Sequence, residues 1–221
     1  MSHPELVIFD CDGVLVDSET ISIRVTAQAL REAGLAIAPH EVARRFLGLS
    51  MSSMMAIVEA ELGRKLAPGF AAMLVARVLE AFERELQPVA GVAAAVAALP
   101  CKSCVASSSA PERLRRALEI AGLAPLFGPN VFSAAMVARG KPEPDLFLHA
   151  ARVMGVAPQR CLVVEDSVPG IVAAGRAGMR AFGFCGGSHL RGMDAEAAQR
   201  AAGATLAFRS MAELPGLLAG M

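Results

Sequence analysis

The chain has no tryptophan and no tyrosine. Base stacking and aromatic platforms for sugar rings rely heavily on those side chains, so both kinds of recognition are disfavoured. Neither charge is in excess: 21 Lys plus Arg stand against 21 Asp plus Glu. No broad electrostatic attraction to nucleic acid or to a membrane surface is therefore expected. Long apolar runs are also missing. The greasiest stretch, Val89 to Leu99, is mostly alanine and too short to span a bilayer. No charged-then-apolar export signal precedes the first apolar run. Cysteine is sparse and odd in number, with five in all. Together with the lack of an export signal, this predicts reduced thiols and a cytoplasmic location. Cys101 and Cys104 have C-x-x-C spacing, but no second pair or His cluster completes a zinc site. The pair also leads into a predicted strand instead of opening a helix after one, which argues against a redox motif.

What is present is apolar material in quantity. Hydrophobic residues make up 54% of 221, enough for one large domain or for a core with a smaller insert. The chain is organised around the stretch from Leu6 to Glu19. Leu6, Val7, Ile8 and Phe9 form a short apolar run that reads as a strand buried on both faces. The run stops at Asp10, with Asp12 two residues on, and Gly13 lets the backbone turn away. Open α/β sheets deliver chemistry at the carboxyl ends of their strands. Two carboxylates this close need a cation or a shared proton. Magnesium suits them, because it prefers one or two carboxylates plus phosphate oxygens.

From Ser18 the pattern turns helical. Ser18 is placed to cap a helix running to about Glu32 and ending at Gly34. A second helix is expected from Pro39 to Phe46. A third, capped by Ser50, runs through Met54, Ile57 and Val58 to Gly63. A fourth follows Pro68 and carries Phe70, Leu74, Val78 and Phe82. Four helices without a strand do not continue a parallel sheet. Residues 18–86 therefore read as a separate helical bundle inserted after the first strand, with 1–17 and 87–221 as the α/β core.

Within the core, Gly91 to Leu99 reads as a helix and Ser103 to Ala106 as a buried strand ending in Ser107, Ser108 and Ser109. Pro111 opens the next helix, where a missing N–H costs little. Hydroxyls and free amides at a helix start can cradle phosphate. A short strand follows near Asn130 to Ser133. Lys141 then sits between Gly140 and Pro142 on stiff, non-helical backbone, suited to act as a fixed positive charge. A helix through Leu146, Leu148 and Val153 leads to a strand at Cys161 to Val164, which ends in Glu165 and Asp166. Adjacent acids at a buried strand end fit a role in holding a metal with the acids of the first strand. A small-residue helix, a strand at Ala181 to Phe184, a helix near Ala195 to Ala202 and a strand at Thr205 to Phe208 finish the chain.

Four strings occur in order: D-x-D-G-x-x-x-D-S-E from Asp10, an apolar strand ending in Ser107, G-K-P-x-P-D-x-F from Gly140, and V-V-E-D-S-x-x-G from Val163. Together they resemble the motifs of the haloacid-dehalogenase (HAD) superfamily, in its phosphatase and phosphomutase branch. The resemblance implies a Rossmann-like core with a parallel sheet, a helical cap that closes over the site, magnesium, and a small phosphorylated metabolite as substrate. It makes Asp10 the nucleophile and Asp12 the general acid and base. Ser107, Ser108 and Lys141 become phosphate contacts. The metal group becomes Asp10, the Asp12 carbonyl, Asp166 and Glu165, the last directly or one shell out. Glu19, which closes the first string, and Arg45, at the start of the cap loop that runs to Ser50, become substrate contacts. The chain is expected to be a monomer or weak homodimer.

Haloacid dehalogenases resemble this core but lack an acid at the position of Asp12, so the resemblance implies phosphate chemistry here. β-Phosphoglucomutases usually carry a His early in the first cap helix and an Arg in the cap loop, where this chain has Ser22 and Met51. That difference tilts the expectation from mutase to hydrolase, nearest to phosphatases of sugar phosphates and phosphogluconate-like acids. A phospho-receiver switch uses similar groups but has no room for an insert after its first strand.

Overall fold

The computed structural model describes residues 3–46, 49 and 51–220. The chain divides into two compact units, Met1–Asp17 with Gln87–Met221, and Ser18–Leu86.

Among its described residues the larger unit is built on six parallel strands, β1 Leu6–Phe9, β2 Lys102–Ser107, β3 Val131–Ser133, β4 Cys161–Glu165, β5 Arg180–Phe184 and β6 Leu206–Phe208. Their order across the sheet is β3-β2-β1-β4-β5-β6. The fold is thus the expected Rossmann-like α/β architecture. Parallel pairing with helical crossovers buries both sheet faces, which explains why β1 and β4 are apolar without alternation. The strand order reverses direction between β1 and β4, and such a switch point opens a crevice at the carboxyl ends of the strands. Phe9 is in register with Val105 on one side and with Val164 on the other. The residues just beyond these three strands therefore emerge on one edge.

Among its described residues the smaller unit has four helices, α1 Glu19–Glu32, α2 Pro39–Phe46, α3 Met51–Leu62 and α4 Phe70–Glu85. Each buries one apolar stripe, as Ile21, Val25 and Leu30 do on α1 and Phe70, Leu74, Val78 and Phe82 on α4. Ser18 precedes α1 but makes no capping bond with its side chain; instead the Ser22 hydroxyl donates to the Ser18 carbonyl at 3.0 Å. The proposed cap at Ser50 lies outside the described residues.

The core helices are α5 Val92–Ala97, α6 Pro111–Ile120, α7 Ala124–Phe127, α8 Asp145–Met154, α9 Val168–Arg176, α10 Ala195–Ala201 and α11 Leu214–Ala219. Leu146, Phe147 and Ala150 of α8 and Ile171, Ala173 and Ala174 of α9 pack with Leu6, Ile8, Ala106 and Val163 of the sheet. Phe9 points to the other face and meets Phe127 edge-on, with ring centroids 6.1 Å apart. Among the described residues no helix is long and apolar enough to cross a membrane. All five cysteines are free. Burial pushes the Cys104 thiol well above its usual range, so Cys101 and Cys104 make a poor redox pair.

Candidate active site

The site grows from the first tight turn of the chain. Beyond Phe9, the amides of Val14, Leu15 and Val16 all turn back on the Cys11 carbonyl, and Gly13 takes a φ of +79°. Only glycine adopts that backbone cheaply. It also has no room for a side chain, since a Cβ there would lie 2.1 Å from Asp166 Oδ2. The turn thus seats the β1 acids directly against the acids of β4.

Lys141 joins the two strand ends. Its ammonium donates to Asp10 Oδ1 and to Glu165 Oε1, each at 2.6 Å. The lysine side chain is 5% exposed and that of Glu165 1%, so this is a dry contact in which each charge depends on its partners. The ammonium also lies 5.0 Å from the ring centroid of Phe147, the buried aromatic of α8. Burial alone would weaken the lysine's hold on its proton, but Asp10 and Glu165 outweigh that and push its pKa up. Lys141 is a permanent cation.

The acids respond in the opposite way. Burial pushes the Asp10 carboxyl well above the usual carboxylate range; Lys141 opposes the shift, while Glu165 and Asp166 add to it. Asp166 is raised by burial and then by Glu165. Asp10, Glu165 and Asp166 bring one oxygen each within 4.8 Å of one another. With all three ionised, these carboxylates and the one ammonium would leave two negative charges buried, which is the deficit a divalent cation removes. The hard oxygen donors suit magnesium.

Glu165 is held at both ends. Its Oε2 accepts from the Ser167 amide at 2.8 Å and the Ser167 hydroxyl at 2.9 Å. Its side chain runs over Gly170, where a Cβ would lie 1.8 Å from Oε1. Gly170→Ala is therefore expected to cost about 1–3 kcal/mol of stability. It should also lower kcat about 10²-fold by displacing the lysine's partner. Thermal melts and steady-state rates on the variant check both, and wild-type values would show that the placement of Glu165 is dispensable.

Asp12 faces elsewhere. Its Oδ2 accepts from Ser109 Oγ at 2.6 Å and its Oδ1 from Arg113 Nη2 at 2.9 Å. Ser109 is the last of the three serines that follow β2, whereas Arg113 carries no signal in the sequence that marks it as a site residue. Ser107 is buried at the end of β2, where its hydroxyl accepts from the Ser109 amide at 3.1 Å. Ser108 is exposed, and Glu19 begins α1 in the smaller unit. Arg45 is ion-paired with Glu61 and lies 4.9 Å from the Phe46 ring centroid, both within its own unit.

Two further contacts had no sequence signal. The buried Gln199 on α10 donates from Nε2 to the carbonyls of Asp166 at 2.7 Å and Phe184 at 3.1 Å, fixing the main chain behind the acid pair. His189, in the loop after β5, places Nε2 3.0 Å from Asp166 Oδ2.

The chain has relatives among known proteins. The family model for haloacid dehalogenase-like hydrolases matches residues 4–178. The 6-phosphogluconate phosphatase of Escherichia coli K12 is 36% identical over 190 residues, 86% of each chain. A haloacid dehalogenase-like protein from Agrobacterium tumefaciens has a crystal structure with a TM-score of 0.85 at 39% identity, covering 98% of both chains. A family hydrolase from Deinococcus radiodurans, solved with bound phosphate and sodium, has a TM-score of 0.81 at 34% identity, covering 100% of this chain and 97% of that one. With its strand-end acids joined through one lysine and its sequence matched across most of its length, the chain belongs to the haloacid dehalogenase-like hydrolases.

Proposed function

We propose that the chain is a magnesium-dependent phosphatase that cleaves a small sugar phosphate or sugar-acid phosphate by way of an aspartyl phosphate. The observation that carries this reading is the Lys141 ammonium shared between Asp10 and Glu165. It offsets the charge on Asp10, so that one anion can approach another. The phosphatase name of the E. coli relative and the phosphate bound in the D. radiodurans structure support the substrate class.

In the first half-reaction an Asp10 oxygen attacks phosphorus, the bond from phosphorus to the ester oxygen breaks, and Asp12 gives its proton to the departing alkoxide. In the second, Asp12 takes a proton from water as the water oxygen attacks phosphorus. Orthophosphate then leaves and the Asp10 carboxylate is restored. Ser107 and Lys141 hold the transferring oxygens throughout. Asp12 is paired with Arg113 and Ser109, so serving the leaving oxygen requires a side-chain rotation away from that pair. Asp10, Asp166 and the Asp12 carbonyl would hold the cation. Glu165 has both oxygens engaged and serves chiefly to anchor Lys141. The ion, when bound, neutralises phosphate oxygens and the buried acids together. Selection among esters is assigned to the helical unit, residues 18–86.

A panel of sugar and sugar-acid phosphates with magnesium tests the reading. Many equivalents of orthophosphate per chain are expected, with kcat/KM ranking the substrates. A single stoichiometric phosphorylation would make the protein a switch, and isomerised sugar phosphate without released phosphate would make it a mutase.

A further inference from the structure

The loop that follows β5 takes no part in the chemistry above, yet it is tied at two points to the segments that carry the acids. Ser188 donates to Asp17 Oδ1 from its amide at 3.1 Å and from its hydroxyl at 2.7 Å. The next residue, His189, is buried against Asp166, with side chains 3% and 7% exposed and Nε2 3.0 Å from Oδ2. Asp17 belongs to the turn after β1 and Asp166 to the end of β4, so two consecutive loop residues tie together the segments that carry the acids.

The imidazole fits only because two glycines make room for it. A Cβ on Gly13 would lie 2.7 Å from His189 Cε1. A Cβ on Gly187 would lie 2.7 Å from the same atom and 3.0 Å from the Gly13 carbonyl oxygen. Side chains at either position would force the ring out of its seat.

We propose that His189 is a positioning residue for the divalent cation: as an Nε2–H donor it fixes the rotation of the Asp166 carboxylate, and Ser188 pins the loop so that the donor stays in place. The inference rests on the metal reading above. Ligands for small hard ions are typically oriented by a second hydrogen bond, and removing that partner costs roughly 10- to 100-fold in metal affinity. Here the usual order is inverted, with the carboxylate as ligand and the imidazole behind it.

The test uses the full chain and manganese alone, with free Mn²⁺ counted by electron paramagnetic resonance. His189→Met removes the donor at similar size and is expected to weaken Mn²⁺ binding roughly 10- to 100-fold. His189→Gln returns an N–H near the Nε2 position and should recover affinity to within about threefold of wild type. At saturating metal, the KM for a phosphate ester should stay unchanged in both variants. Equal Mn²⁺ affinity in wild type and folded His189→Met would overturn the assignment and leave the metal site standing. No Mn²⁺ binding by wild type would overturn the metal reading itself. If His189→Met does not fold, Ser188→Ala is read in its place. It keeps the imidazole but removes the hydroxyl tie to Asp17, so weakened binding supports the clamp and unchanged binding rejects it.

Discussion

Asp10→Asn is expected to lower kcat on the order of 10⁵-fold while leaving the fold in place. The amide is nearly the same shape as the carboxylate and keeps an acceptor for the Lys141 ammonium, which in the native protein lies 2.6 Å from Oδ1. It lacks the charge needed to attack phosphorus. Folding should not suffer, because burial already makes the Asp10 charge unfavourable and Glu165 remains to pair with the lysine. The melting temperature of the metal-free variant is therefore expected to equal or exceed that of wild type. With no Trp or Tyr for fluorescence, far-ultraviolet circular dichroism and calorimetry are the suitable probes. Mass spectrometry of rapidly quenched reactions supplies the second readout: wild type gains the mass of one phosphoryl group and the variant does not. A rate within tenfold of wild type would remove Asp10 from the role of nucleophile.

Much of this architecture is legible in the sequence because the relevant signals are local. An apolar run that stops at an acid, as at Phe9-Asp10 and Val164-Glu165, marks both a buried strand and its reactive end. The helices of residues 18–86 are readable from their apolar spacing and from glycines at their ends, such as Gly34 and Gly63 with positive φ. The short helices α7 and α11 have no legible signal in the sequence. Each is six residues or fewer and has proline in its first turn, too little chain for a period to show. The partners of the predicted acids were hidden for a different reason. Arg113 meets Asp12 across 101 residues and Gln199 meets the Asp166 carbonyl across 33. Such contacts depend on which strands become neighbours, and the order β3-β2-β1-β4-β5-β6 has no local signature. For His189, glycines 13 and 187 were the nearest thing to a signal, but what they accommodate shows only in three dimensions.

Chelation of divalent cations is expected to silence turnover and to expose a pH dependence that the loaded protein lacks. In the chelated protein three buried acids share one lysine, and burial with mutual repulsion raises Asp10 and Asp166. In the unfolded chain an aspartate titrates near 3.9. Between that value and the raised folded values the native state holds more protons than the unfolded one, so stability falls as pH rises. The contribution of these two groups is complete below about pH 4 and is lost as the pH passes through their folded pKa values. A bound cation changes the sign of the problem, because it rewards the ionised acids and competes with their protons. At about 100 times its dissociation constant it adds about 2.7 kcal/mol. For a chain of 221 residues that is a rise of about 5–10 °C in melting temperature. Scanning calorimetry from about pH 5 to about pH 8, with EDTA and with magnesium, should give a falling line in the first series and a flatter one in the second. In Asp10→Asn the EDTA slope should shrink and the magnesium shift should fall with it, since one of the groups responsible for both is gone. Activity that survives EDTA, or a melting temperature indifferent to magnesium at the upper end of that range, would mean that the buried charge is balanced in some other way.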